Sequence, residues 1–312
     1  MDALDFAIYR YLSHDGLARF WASRRVIDPR VSAREIAEQV GLSEAGVRAR
    51  LRVLRDRGLL RGSAVNVNPS LLGASVLVVE VPVRNPRESD RLFRDLASVD
   101  GVLFARDLMD EEDRKVSVYL ASENPSATSR RLSLLRRLAP AGSIRGPRPY
   151  WIPPCEREMT PLDWKLVRVF RAHPDGGIAE LASAAGVSLK TTARRFGLAL
   201  DSNACWWSHS SDSEEWPLAL LTFVLDSGAD VPVLTKQVVA CCESWIPVAP
   251  DGLGSPPDDR GRALAGLVPV GTPSSLERVV RQVLSLDGVA DVRRTFGLRS
   301  AAFPSWIDER IP

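Results

Sequence analysis

Lysine is nearly missing from this chain of 312 residues: Lys115, Lys165, Lys190 and Lys236 are the only lysines among 41 basic residues. Arginine carries almost all the positive charge, so an arginine count alone signals no special demand for guanidinium chemistry. Histidine is scarcer still, with His14, His173 and His209, and the cysteines are Cys155, Cys205, Cys241 and Cys242. No Cys-x-x-Cys spacing occurs and histidines are too few nearby to complete a zinc site, so free thiols in a reducing compartment and no metal are expected. No apolar run reaches bilayer length, and the amino terminus "MDALDFAIYR" lacks the basic-then-apolar order of a signal peptide. Both observations predict a soluble, cytoplasmic protein with no membrane partner. Phosphate-cradling glycine loops, nucleophile elbows and His-Glu-x-x-His are also missing. The expectation is therefore a protein that is not an enzyme, with no catalytic residue and no cofactor.

What is present has to fold as more than one unit, because 312 residues exceed one ordinary core. The net charge is only +2, so any nucleic-acid footprint must be local. Such a locality exists near the amino terminus. From Arg24 to Arg61 ten basic residues face five acidic ones, an excess of five.

In the same stretch Leu4, Ile8 and Leu12 predict a first helix over about 2–13. Ser32 with Glu35 three residues on forms a capping box for a second helix, which Gly41 ends. Ser43 caps a third helix, on which Val47, Leu51 and Leu54 form one apolar stripe. Two short helices around a tight glycine turn, followed by the alternating "LLRGSAVNVNP", read as a helix-turn-helix with a hairpin or wing. Glu44, Arg48, Arg52 and Arg55 then flank the outward face, and Ala45 and Ala49 let the backbone approach a groove floor. Double-stranded DNA is the predicted partner.

The period then changes. "ASVLVVEVPV", "VLFARDL", "KVSVYLAS" and "SIRGPRPYWI" read as strands, and "ESDRLFRDLASV" and "SATSRRLSLLRRLA" as helices, in the order βαββαβ. After the proline-bearing connector "WIPPCERE" the programme starts again. Leu42 aligns with Val187 at an offset of 145, which also pairs Leu51 with Phe196, Arg50 with Arg195 and Gly58 with Asn203. Pro125 pairs with Pro273 and Trp151 with Trp306 at larger offsets. The predicted fold class is α+β, with two winged helix-turn-helix units alternating with two ferredoxin-like βαββαβ domains. The expected divisions are 1–70, 71–154, 155–212 and 213–312.

The segment "VSAREIAEQVGLSEAGVRARLRVLRDRGLLRGSAVNVNPSLLGASVLVVEVPV" resembles the Lrp/AsnC, or leucine-responsive, family of transcriptional regulators. The resemblance implies a βαββαβ domain that pairs through its sheets, an amino acid or related metabolite as effector, and larger assemblies. This chain resembles two such protomers fused head to tail: a pseudo-dimer, with a dimer of pseudo-dimers as the implied homo-oligomer. The family's glycine-bearing effector turn would fall at "RDLMDEEDRK", which has acids but no glycine, so amino-acid binding in the usual manner is not expected.

The predicted DNA-contacting set is Arg34, Ser43, Glu44, Arg48, Arg50, Arg52 and Arg55 in the first unit. In the second it is Ser188, Lys190, Thr191, Arg194 and Arg195. Arg48 and Arg52 are assigned to the major groove, and Arg34, Arg50 and Arg55 to phosphates. The second helix-turn-helix has six basic against four acidic residues from Thr160 to Asn203, and Asp212, Glu214 and Glu215 follow where a phosphate would lie. It reads equally as a DNA binder or a packing module. Most tryptophans read as packing anchors, while Trp245 and Trp306 are placed in strands that line an effector cleft. The competing class is enzymatic: sirohaem decarboxylases resemble the same architecture of paired halves, but such chemistry wants more histidines than His14, His173 and His209.

Overall fold

The computed structural model describes residues 4–5, 7–8, 32–57, 61–110, 113–150, 152, 155, 157–174, 176–210, 218–241, 246–248, 263–269 and 273–312. The chain divides into two compact units. One gathers both helix-turn-helix segments, 1–74 and 152–212, with the tail 307–312; the other gathers 75–151 and 213–306.

In the first unit the amino-terminal helix places Ile8 wholly in the core. Helices α1 (Ala33–Val40) and α2 (Glu44–Asp56) follow, then strand β1 (Arg61–Val67). The second copy supplies α5 (Pro161–Ala172), α6 (Ile178–Ala185), α7 (Leu189–Asp201) and strand β6 (Cys205–Ser210). The wing expected as a local hairpin is formed differently: β1 pairs antiparallel with β6, from Arg61 opposite Ser210 to Val67 opposite Cys205. A lone strand cannot satisfy its own backbone groups, and the nearest strand of matching length belongs to the other copy. Val65 of β1 consequently sits in the core of the second copy, with Leu166, Phe170, Leu181, Phe196 and Ala199. Phe170 and Phe196 stack there at 4.2 Å.

The second unit is one eight-stranded sheet. Its first half holds β2 (Ser75–Val83), α3 (Pro86–Leu96), β3 (Val102–Asp110), β4 (Arg114–Ser122), α4 (Pro125–Leu138) and β5 (Arg145–Tyr150). Its second half holds β7 (Leu218–Leu225), α8 (Val231–Cys241), β8 (Ile246–Val248), β9 (Ala263–Pro269), α9 (Pro273–Leu284) and β10 (Val289–Ala302). The sheet runs β5-β2-β4-β3-β10-β7-β9-β8. In each half the fourth strand lies beside the first, then the third, then the second, as the ferredoxin-like arrangement requires.

The α3 face that the sequence assigns to the interior is buried at Leu92, Phe93 and Leu96. Those residues meet Val79, Val81, Val116, Val118, Leu132 and Leu135 in one core. Leu221, Phe223, Leu234, Val238, Val280 and Val283 build the other.

The two halves join edge to edge. Strand β10 is 14 residues long; Val289 to Gly297 pair with β7, and Thr295 to Ala302 pair with β3. The overhang covers a backbone edge that β3 would otherwise leave open.

Candidate nucleic-acid interface

The helix-turn-helix is assembled by its caps. Ser32 N–H donates to Glu35 Oε2 at 2.6 Å and Glu35 N–H donates back to Ser32 Oγ at 3.2 Å, closing the capping box at the start of α1. Gly41 adopts φ 69°, a left-handed conformation that turns the chain within three residues at no side-chain cost. Ser43 Oγ then accepts from Gly46 N–H at 3.1 Å and starts α2.

Val47 and Leu54 are buried and Leu51 is half-buried, so the opposite face of α2 is fixed toward solvent. On that face Arg48 is 67% exposed and lies against Glu44, with Nε to Oε1 at 3.0 Å. Ala45, Ala49, Arg52 and Arg55 are exposed, and among the described residues Arg52 and Arg55 form no ion pair. Arg34 lies on α1 and pairs with Glu38 at 3.1 Å, also in solvent. These exposed ion pairs are worth little in water and exchange readily for a phosphate or a base.

Arg50 departs from the set. Its side chain is only 29% exposed and its Nη1 donates to Asp5 Oδ1 at 2.6 Å, tying α2 to the amino-terminal helix. The second copy repeats the arrangement. Arg195, which aligns with Arg50, is turned toward Asp163 at 3.5 Å, and "LD" at Leu4–Asp5 recurs at Leu162–Asp163. Asp163 is almost fully buried, closes a capping box with Thr160 and accepts from Arg157 at 2.7 Å. Arg50, assigned to a phosphate, and Arg195, assigned to DNA, thus each face an acidic residue of their own copy in this structure. Asp5 and Asp163 were missed as site-shaping residues, although the repeated Leu-Asp was readable.

Elsewhere in the second copy Lys190 and Arg194 are exposed. The hydroxyl of Ser188 caps α7 by accepting from Thr191 N–H at 3.2 Å and also meets the Thr191 hydroxyl at 2.9 Å. Asp212, Glu214 and Glu215 lie outside the described residues, as do His14 and Trp245. His173 is exposed at the carboxyl end of α5.

Trp306 does not line a cleft. It belongs to the short helix α10 (Ser305–Asp308), is 1% exposed, and its indole N–H donates to Glu123 Oε1 at 3.0 Å. Glu123 also receives the guanidinium of Arg131, itself 2% exposed, which donates further to the Asp100 and Ala121 carbonyls and to Asp100 Oδ2 at 2.9 Å. The hydrogen bonds from Arg131 hold the Glu123 carboxyl down at about 2. Trp306 is therefore an anchor, not an effector contact; its short helix falls after the last strand because Pro304 ends the pairing.

Among the described residues, no group of three or more His, Cys, Asp or Glu is placed to hold a metal ion. Among them, too, no helix is long and apolar enough to cross a membrane.

Comparison with known proteins bears on the first helix-turn-helix. The AsnC-type helix-turn-helix domain matches residues 1–55. The HTH-type transcriptional regulator LrpA of Pyrococcus horikoshii is 36% identical over 52 residues, which is 17% of this chain and 37% of that protein. LrpA of Pyrococcus abyssi gives the same values. The chain thus spans little more than a third of the length of the curated relatives it matches. Over 97% of its length the chain shares the fold of the siroheme decarboxylase NirDL, covering 98% of that structure with a TM-score of 0.51 and 11% identity. At residues 1–55 the chain thus carries a match to the AsnC-type helix-turn-helix domain.

Proposed function

We propose that this chain is a sequence-specific, DNA-binding transcription regulator that reads the major groove with α2. The observation that carries the reading is the AsnC-type domain, whose second helix turns Arg48, Arg52 and Arg55 outward over a buried Val47–Leu54 stripe. Arg48 and Arg52 read bases, and Arg34 and Arg55 neutralise phosphates. Lys190 and Arg194 supply the lesser contacts of the second copy. One polypeptide provides both halves of a pseudo-dimer, so pairing does not depend on dilution and the operator need not be palindromic. A small metabolite acts on the sheet unit, and chains associate further into a dimer of pseudo-dimers.

Selection of genomic DNA fragments by the purified protein at two salt concentrations tests this. A discrete motif that survives the higher salt is expected. Arg48→Ala and Arg52→Ala should each weaken binding to that motif about tenfold or more while changing non-specific binding far less. Salt-sensitive random fragments alone, or equal loss on every sequence, would overturn base reading.

A second reading follows from the full-length likeness to the siroheme decarboxylase fold. Titration with an iron porphyrin separates the two: a stoichiometric shift of the porphyrin absorption band supports it, and its absence leaves the regulator.

A further inference from the structure

On the helix-bearing face of the sheet unit, between α9 and β10, lies an open groove of about 800 Å³, within the usual range for a small-molecule site. Alternation along β10 puts Val292, Arg294 and Phe296 on this face. Arg294 stands opposite Leu221, which is wholly buried, so an arginine occupies a register position that elsewhere on the strand holds core residues. Glu277 of α9 lies 2.8 Å from Arg294 and 3.2 Å from Arg281, and Arg278 lines the same groove. Two guanidiniums thus share one carboxylate, and a third, Arg278, lines the groove beside them. The hydrogen bond from Arg281, foremost, keeps that carboxyl below its ordinary range. The floor is apolar: Leu276 and Phe296 line it, and Met109 of β3 stands directly opposite Phe296 in the register. Met109 is 41% exposed.

We propose that this groove binds a small organic anion with an apolar body. Its carboxylate is held by Arg294 and Arg278, and its ring or chain lies on Phe296 and Met109. A planar guanidinium fork suits a carboxylate, and three arginines against one glutamate among the lining residues favour one. An occupant seated on Phe296 has Met109 of β3 as its neighbour across the β3–β10 pairing. The inference gives a site and a chemistry to the effector invoked above, but the binding is measured without DNA, so its failure leaves the DNA-binding reading standing.

The experiment is calorimetric titration of the full chain with 3-phenylpropionate, with 3-phenylpropanol as its neutral analogue and inorganic phosphate as a bare anion. Phenylpropionate should bind at least tenfold more tightly than either. Arg294→Gln should weaken it about tenfold or more. Because Arg294 touches the core, the double variant Arg278→Gln/Arg281→Gln, confined to exposed positions, provides the second check and should also weaken binding. No binding, equal binding of the alcohol or of phosphate, or unchanged affinity in the double variant would overturn the proposal.

Discussion

Gly101→Ala should lower the stability of the sheet unit by about 3 kcal/mol or more, seen as a lower urea midpoint with an unchanged slope. Gly101 has φ 83°, a conformation that costs a side-chain-bearing residue about 1–2 kcal/mol. The larger effect is contact. A Cβ at Gly101 would lie 2.1 Å from Arg131 Nε and 2.3 Å from its Cζ. The guanidinium cannot step aside, since it is held by Glu123, Asp100 and two backbone carbonyls while 2% exposed. Displacing it breaks a buried ion pair, a loss of about 3–5 kcal/mol in comparable settings. Gly142→Ala is the control within the same unit: φ is 63° and nothing lies within 4 Å. It should cost about 1–2 kcal/mol from strain alone. Equal losses at the two positions would mean that Arg131 does not impose the glycine.

The same cluster has a pH dependence with a definite sign. Glu123 titrates at about 2 in the folded protein, against 4.5 for a free glutamate. A depressed carboxyl stabilises the fold fully above the unfolded value and loses that contribution as pH falls toward the folded one. Acid unfolding between about pH 4.5 and 2 should therefore be less steep in Glu123→Gln than in the parent.

Most of the local structure was readable because its causes are local. Ser32 with Glu35, Gly41 and Ser43 are signals within four residues of what they control, and all act as read. Strand β2 declares itself by its valine run, β3 and β4 by short apolar runs, and α3 by Leu92, Phe93 and Leu96 at helical spacing. The misreadings lie where partners are distant in sequence. Nothing in "RGSAVNV" says that its hydrogen-bonding partner is "CWWSHS", well over a hundred residues later. The length of β10 gave no notice that its last residues close the edge of β3. Trp306 sits beside a strand end and was read as part of it, whereas Pro304 and the far-off Glu123 decide its place. Arg50 shows the limit most plainly. Its helical position is legible, but the direction of its side chain depends on Asp5, one residue in a helix far from α2 in sequence.

Arg50→Ala should expose that difference in solution. If Arg50 braces α2 through Asp5, its loss removes a partly buried charge-assisted hydrogen bond and destabilises the helix-turn-helix unit by about 1–2 kcal/mol. DNA binding should then weaken on all sequences, while the slope of log affinity against log salt stays at the parent value, because no phosphate contact has gone. Arg55→Ala should behave oppositely, with little change in stability and a slope reduced by about one. A double-mutant cycle with Asp5→Ala isolates the pair: the combined loss should be smaller than the sum of the single losses by about 1 kcal/mol or more. Arg195→Ala and Asp163→Ala provide the same comparison in the second copy, with a larger expected loss because Asp163 is almost fully buried and also holds Arg157 and Thr160. Additive losses at Asp5 and Arg50, together with a reduced salt slope for Arg50→Ala, would return Arg50 to the phosphate backbone. Coupled losses with an intact slope would instead fix α2's presentation to DNA as a property of the helix behind it.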